Sequence, residues 1–200
     1  MTSTEFFSRI KSDVIMDMYE SGILASLTAA QAYIESGSGG SKLSQAANNI
    51  FGMKGSYNGQ SVTMKTKEYV NGKYITINAQ FRKYPSWSAS IKDHSDLFNR
   101  LKRYENLRGE KDYKEACRKV QQDGYASSPT YTTTLIKTIE QFKLYEWDLI
   151  DLDQGPDEEL EDALRVIAER VIAGKFGQGH ETRKNTIYEL IRQKVNDILK

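Results

Sequence analysis

Two glutamates stand where a carboxyl group could do chemistry. Glu35 falls in the last turn of a helical pattern that stops at Ser36-Gly37-Ser38-Gly39-Gly40-Ser41. There, unpaired carbonyls and the negative end of the helix dipole disfavour a second negative charge. That placement predicts a raised pKa, which a proton donor needs if it is to stay protonated near working pH. Glu68 falls in a stretch of period two. The register set by an Asn71-Gly72 turn puts it opposite Ile75, on one face with Met64, Ile77 and Phe81. A carboxylate on an apolar face is anomalous unless a site uses its charge; the alternative is a bulge or register slip that turns Glu68 to water. One protonated carboxylic acid beside one ionised carboxylate is the equipment for acid-assisted bond cleavage. A different chemistry, nucleophilic attack by Cys117 with His94 as base, has weaker support. Cys117 lies in the charged pattern Tyr113-Lys114-Glu115-Ala116-Cys117-Arg118, with no glycine-rich turn or helix N-terminus to lower its pKa.

The elements that must position these residues follow from periodicity. Phe6, Ile10, Val14 and Met18 recur at helical spacing from Thr2 to about Tyr19, and Thr2 with Glu5 fits a capping box. Ser26 is placed to cap a second helix, with Leu27, Ala30 and Ile34 on one face and Gln31 and Glu35 a turn apart on another. Between Ser61 and Arg82 a hairpin is expected, pairing Tyr69 with Tyr74, Glu68 with Ile75, Thr66 with Ile77, Met64 with Ala79 and Val62 with Phe81. After Pro85 helical patterns return through Ile91, Leu97 and Leu101, then Tyr113 to Val120, then Leu135 to Phe142. The turn-forming Asp151-Leu152-Asp153-Gln154-Gly155-Pro156 reads as a linker. Beyond it, Leu160, Leu164, Ile167 and Val171 form one stripe, and Ile187, Leu190, Ile191, Val195 and Ile198 mark a closing helix. The expected organisation is a domain over residues 1–150, a linker over 151–156 and a helical module over 157–200.

Composition narrows the function. Hydrophobic residues make up 38% and charged residues 28%, and no run approaches the roughly 20 apolar residues of a membrane-spanning helix, so no membrane insertion is expected. The first residues, Met1-Thr2-Ser3-Thr4-Glu5-Phe6-Phe7, show neither a basic leader nor an apolar core, so no secretory signal peptide is expected. A net charge of +1 gives no field for nucleic acid, and the local basic stretch Lys102, Arg103, Arg108, Lys111, Lys114 reads as a solvated face. One cysteine excludes an internal disulfide and, with two histidines, cannot build a structural zinc site of the usual kind. No metal and no other cofactor is suggested.

Several segments together resemble one family. Leu27-Thr28-Ala29-Ala30-Gln31-Ala32-Tyr33-Ile34-Glu35-Ser36-Gly37 is followed by Asn48-Asn49-Ile50-Phe51-Gly52-Met53-Lys54-Gly55, Thr66-Lys67-Glu68-Tyr69, Phe81-Arg82-Lys83-Tyr84, Ser90-Ile91-Lys92-Asp93-His94 and Gly124-Tyr125-Ala126-Ser127-Ser128-Pro129-Thr130-Tyr131. In this order, over roughly residues 10 to 148, they resemble the glucosaminidase family of bacterial and phage peptidoglycan hydrolases. The resemblance implies an α+β, mainly helical, lysozyme-like catalytic domain with a β-hairpin lobe. It implies an endo-β-N-acetylglucosaminidase that cuts after N-acetylglucosamine in the wall polymer. Glu35 matches the family's catalytic acid, Glu68 its second carboxylate and Tyr125 the tyrosine of its Gly-Tyr-Ala segment. Ser127-Ser128 stands where members often carry Thr-Asp, which removes an acidic neighbour from Tyr125, and Met53 replaces a common isoleucine. Phe51, Tyr69 and Tyr84 are candidates to stack on sugar, whereas Trp87 reads as structural; Asn49 and Lys54 are candidates to stabilise the cleft wall or orient a carboxylate.

The C-terminal run Val171 to Gly179, with Arg183 and Val195-Asn196-Asp197-Ile198-Leu199, resembles the muropeptide-binding wall repeats of phage lysins. It implies a small three-helix wall-binding module in which Gly177, Gly179 and Arg183 grip a peptide-stem carboxylate. The usual Gly-Tyr-Asp-Tyr stretch is missing, so the ligand loop is shortened. By analogy the protein is a monomeric phage endolysin held in the host cytoplasm until the membrane is breached. The alternatives are an N-acetylmuramidase on the same polymer, or a wall-binding phage structural component without chemistry. The two glutamates leave three routes open for glycoside cleavage. A separation of about 6.5–9.5 Å favours an activated water and about 5 Å a covalent intermediate, while the substrate's acetamido oxygen is the third candidate.

Overall fold

Thr2 opens the first helix, α1 (Ser3–Ser21), with both halves of the expected capping box: its hydroxyl accepts from the Glu5 N–H and the Glu5 carboxylate accepts from the Thr2 N–H. The computed structural model describes residues 1–70 and 73–149, and of 67–70 and 74 only the backbone. These residues belong to one compact unit, Met1–Leu149. Residues 150–200, with the expected linker, the wall-binding module and its Gly177, Gly179 and Arg183, lie outside the described residues.

The second helix, α2 (Ala25–Ser36), is buried on every side from Ala25 to Ala32 and packs against α1. Four alanines among those eight residues let neighbouring elements approach its backbone closely. Ser26 does not cap it. Leu24 holds the N-cap position without a side-chain bond, and Asp148 supplies the missing acceptor: its Oδ1 takes the Ser26 N–H at 2.8 Å and its Oδ2 the Ser26 hydroxyl at 2.5 Å. A carboxylate 122 residues away therefore terminates the helix that carries Glu35. Asp148→Ala is expected to cost about 1–2 kcal/mol, as loss of a capping side chain does, lowering Tm by roughly 2–8 °C for a chain of this size. A calorimetric change under 1 °C would show that Asp148 is not the cap.

Beyond the turn at residues 36–41 comes α3 (Lys42–Ala47), a short helix that hydrophobic period did not foretell and that Ser41 caps through the Ser44 N–H. Strands β1 (Ser61–Val70) and β2 (Lys73–Arg82) form one antiparallel sheet. The register agrees with expectation at every pair, including Glu68 with Ile75, and Val70 with Lys73 closes it around two residues. The hairpin is tied at its base: Arg82 N–H donates to the Met53 carbonyl at 2.9 Å and Gly55 N–H to the Gln80 carbonyl at 2.9 Å. Away from the base the structure departs from expectation. Phe81 is 8% exposed, but Ile77 is 37% and Ile75, opposite Glu68, is 42%. Among the described side chains, the apolar face is covered only near its anchored end.

Three more helices complete the body: α4 (Trp87–Arg100), α5 (Tyr113–Gln122) and α6 (Tyr131–Gln141), with 3-10 turns at Lys102–Leu107 and Leu144–Leu149. Asp17 of α1 binds α4 from within. It is 6% exposed and accepts from Ser95 Oγ and, at 3.4 Å, from Ser21 Oγ. Burial pushes its pKa up to about 8. A carboxyl raised on folding contributes stability fully present below its unfolded pKa and lost as pH rises toward the folded one, so stability should decline from about pH 4 to 8. Asp17→Asn, which keeps both hydrogen bonds, should flatten that decline and raise Tm at pH 8; an unchanged slope would mean that Asp17 ionises freely.

Candidate active site

Glu35 occupies the last turn of α2, where the sequence placed it. The helix ends in a Schellman arrangement: Gly37 is left-handed (φ 57°), its N–H donates to the Ile34 carbonyl at 3.3 Å, and the Ser38 N–H reaches the Tyr33 carbonyl at 2.9 Å. Glu35 thus projects beside an end where the dipole already disfavours charge. The larger influence is one the sequence did not display. The carboxyl opens to a cleft on one side but is walled by protein on the other, and this loss of water raises its pKa. Tyr131 opposes the rise by donating its hydroxyl to Glu35 Oε1 at 3.1 Å, and Gln31 Nε2 donates to the Tyr131 oxygen at 3.1 Å.

The cleft has a volume of about 770 Å³ and is lined by Glu35, Phe51, Gly52, Met53, Lys54, Arg82 and the Tyr125–Ser128 segment, with Tyr131 and Thr134 behind. Its floor is a loop held by one buried amide. Asn49, 1% exposed, accepts the Met53 N–H at 2.9 Å and donates from Nδ2 to the carbonyls of Met53 and Arg82, both at 2.9 Å. Arg82 continues the wall by donating from Nε to the Lys54 carbonyl at 3.2 Å and pairing with Asp93 of α4.

Tyr84 does not line this cleft. It is 2% exposed, and its hydroxyl donates to Asp93 Oδ2 at 2.6 Å, so it offers no face to a sugar and supports the Arg82 anchor instead. Phe51 lies at the cleft but is 5% exposed, with its ring stacked on His94 at 3.9 Å; stacking there is possible only at an edge. Glu68 and Tyr69 are described by strand position alone. Trp87 is structural, packed on Phe6 and beneath Arg9. The Cys117–His94 chemistry is closed: the Cys117 thiol is fully buried and pushed up to about 12 by burial, and His94 is buried and pushed down to about 3.

The profile of the glucosaminidase family, described as mannosyl-glycoprotein endo-beta-N-acetylglucosaminidase, matches residues 12–144. The chain belongs to this family. The glucosaminidase domain is 42% identical over 134 residues to exo-glucosaminidase LytG of Bacillus subtilis, a match covering 64% of this chain and 48% of that protein. It is 29% identical over 147 residues to peptidoglycan hydrolase FlgJ of Escherichia coli, covering 70% of this chain and 47% of that one. The catalytic domain of the autolysin Auto from Listeria monocytogenes superposes with a TM-score of 0.68 at 35% identity, over 73% of this chain and 87% of the other. The helical body with its two-stranded hairpin is the lysozyme-like fold of these glucosaminidases. The chain spans about half the length of these two curated relatives.

In this glucosaminidase domain the sequence reading passed over Tyr131. It closes the Gly124–Tyr131 segment, but its partner Glu35 lies 96 residues away, and a tyrosine at the start of an amphipathic helix carries no local sign of such a bond. Its phenol donation is what holds the Glu35 pKa down against burial. In Tyr131→Phe that restraint is gone, so the alkaline limb of the kcat profile is expected to move to higher pH. A limb that stays in place would mean that this hydrogen bond does not act on the proton donor.

Proposed function

We propose that this domain hydrolyses the glycan strands of bacterial peptidoglycan, cutting the β-1,4 bond after N-acetylglucosamine. The observation that carries the reading is a glutamic acid on the wall of an open cleft, its pKa raised by loss of water. Glu35 donates its proton to the glycosidic oxygen, and the bond to the sugar carbon breaks with positive charge developing there. Glu68, on the hairpin whose base adjoins the cleft-forming loop, serves as the second carboxylate that meets the charge developing at the sugar carbon. Tyr125 holds the N-acetyl group next to the reacting carbon, and Lys54 and Asn49 keep the floor in place beneath it. The resemblance of residues 171–199 to wall repeats supports a lysin whose C-terminal module, through Gly177, Gly179 and Arg183, keeps it on the wall.

The test is mass spectrometry of borohydride-reduced fragments from purified Gram-positive walls, with Glu35→Gln digested in parallel. Reduced N-acetylglucosamine ends, absent with the variant, are the expected result. Reduced N-acetylmuramic acid ends would make the enzyme a muramidase. Free peptide amines without new glycan ends, or no release at all, would overturn the assignment. Long fragments early in the digest are expected of endo cleavage, whereas early release of terminal units alone would mark an exo enzyme.

A further inference from the structure

His94 belongs to α4 and has no place in the chemistry above, yet it is the residue that holds Tyr125. Its Nε2 lies 3.1 Å from the Tyr125 hydroxyl oxygen. The imidazole is fully buried, stacked on Phe51 at 3.9 Å with 10° between planes, and met edge-on by Phe98 at 4.6 Å. Tyr125 in turn leans on Phe98 at 5.6 Å and on Tyr131 at 5.9 Å. The imidazole is thus held between two rings with Nε2 toward the hydroxyl of Tyr125, a residue that lines the cleft.

The other ring nitrogen gives this arrangement a direction. His94 Nδ1 is buried and has no hydrogen-bond partner among the described residues. A neutral imidazole carries one N–H, so either Nδ1 holds it and an N–H donor is orphaned in the core, or Nε2 holds it and only a lone pair goes unmet. Orphaned buried donors are the rarer and more costly case. With Nε2–H donating, the Tyr125 oxygen is the acceptor, and its own hydrogen, which prefers the ring plane, is turned away from His94. Burial also keeps His94 from carrying a charge and keeps Tyr125 protonated.

We propose that His94 is a positioning residue: by donating from Nε2 to the Tyr125 hydroxyl oxygen it makes Tyr125 a hydrogen-bond donor into the cleft, available to a carbonyl or ether oxygen of the substrate. This rests on the reading of the cleft as a glycan site, but the direction of the hydrogen bond is measurable without turnover.

The experiment has two arms. Imidazole 15N chemical shifts of the wild-type chain, assigned by comparison with His94→Phe, should show the Nε2–H tautomer from pH 5 to 8. In parallel, kcat and KM on wall glycan are measured for His94→Phe, which keeps the stacked volume between Phe51 and Phe98, for Tyr125→Phe and for the double variant. The expected result is a fall in kcat of about 10-fold or more in each single variant, with Tm little changed, and no further fall in the double variant, because both remove the same oriented hydrogen. His94→Gln, whose amide can donate along the same line, should recover part of the loss if folded. An Nδ1–H tautomer overturns the proposal, as do losses that multiply in the double variant. Should His94→Phe fail to fold, the tautomer together with His94→Gln decides the matter. Absence of glycan cleavage by the wild type would defeat the functional reading alone and leave the tautomer to decide this one.

Discussion

Glu35→Gln is expected to lower the rate of glycan cleavage by ~10²–10⁴-fold, the range lost when a positioned general acid is removed, with little change in Tm. Glutamine keeps the shape and can still accept the Tyr131 hydroxyl, so the hydrogen bonds from Gln31 through Tyr131 survive. What it lacks is a proton to give. Because the loss lies in the chemical step, kcat should fall while KM holds, and the variant should still sediment with purified walls. The wild-type profile carries the sign of the same group. A general acid works only while protonated, and burial has raised the Glu35 pKa, so the alkaline fall in kcat should come above the ordinary glutamate range and disappear with the variant. A Glu35→Gln protein that retains a tenth of wild-type kcat would remove Glu35 from the mechanism.

The largest effect on stability is expected at Gly39, in the turn that ends the helix bearing Glu35. Its φ is +73°, and a Cβ there would come within 2.5 Å of Trp87 Cη2 and 3.1 Å of Cζ2. The indole is pinned between the Phe6 ring, with centroids 5.5 Å apart, and the Arg9 guanidinium, 3.8 Å from its own centroid, so it has little room to swing. Left-handed backbone costs an ordinary residue about 1–2 kcal/mol, and overpacking a filled core about 1–3 kcal/mol more. Gly39→Ala should therefore lose about 2–5 kcal/mol, roughly 4–20 °C in Tm. Gly37, two residues earlier, is the control: its φ is +57° but a Cβ would meet nothing within 4 Å, so Gly37→Ala should cost only the backbone share. Equal losses at the two positions would mean that Trp87 does not set the turn. Because the Gly39 N–H donates to Ser36 Oγ at 2.8 Å, the damage should also reach Glu35, and kcat should fall at temperatures where the variant remains folded.

Much of this architecture was legible in the chain. The capping box at Thr2 and Glu5, the helix stop after Glu35 and the full hairpin register are written in neighbouring residues, because each depends on contacts three or four positions apart or on a two-residue turn. Local physics is enough to place a carboxyl at a helix end and another on a strand. The family resemblance, carried by segments spread over most of the described residues, is what sets Glu35 and Glu68 together as the expected pair.

Other features became visible only when distant parts met. Ser26 looked like a cap because its type suits one, but Asp148 caps α2 from across the chain. Tyr84 looked like a sugar platform, yet its hydroxyl is committed to Asp93 and its ring is enclosed. The face around Ile75 and Ile77 reads as apolar by alternation and is nonetheless exposed, because periodicity reports composition and not what covers it. The pKa of Glu35 follows the same division. The sequence determined that a glutamate ends a helix at a glycine, a property of adjacent residues. Tertiary structure alone decided how much water reaches its carboxyl and which phenol donates to it, since desolvation and long-range hydrogen bonds depend on where folded surfaces meet.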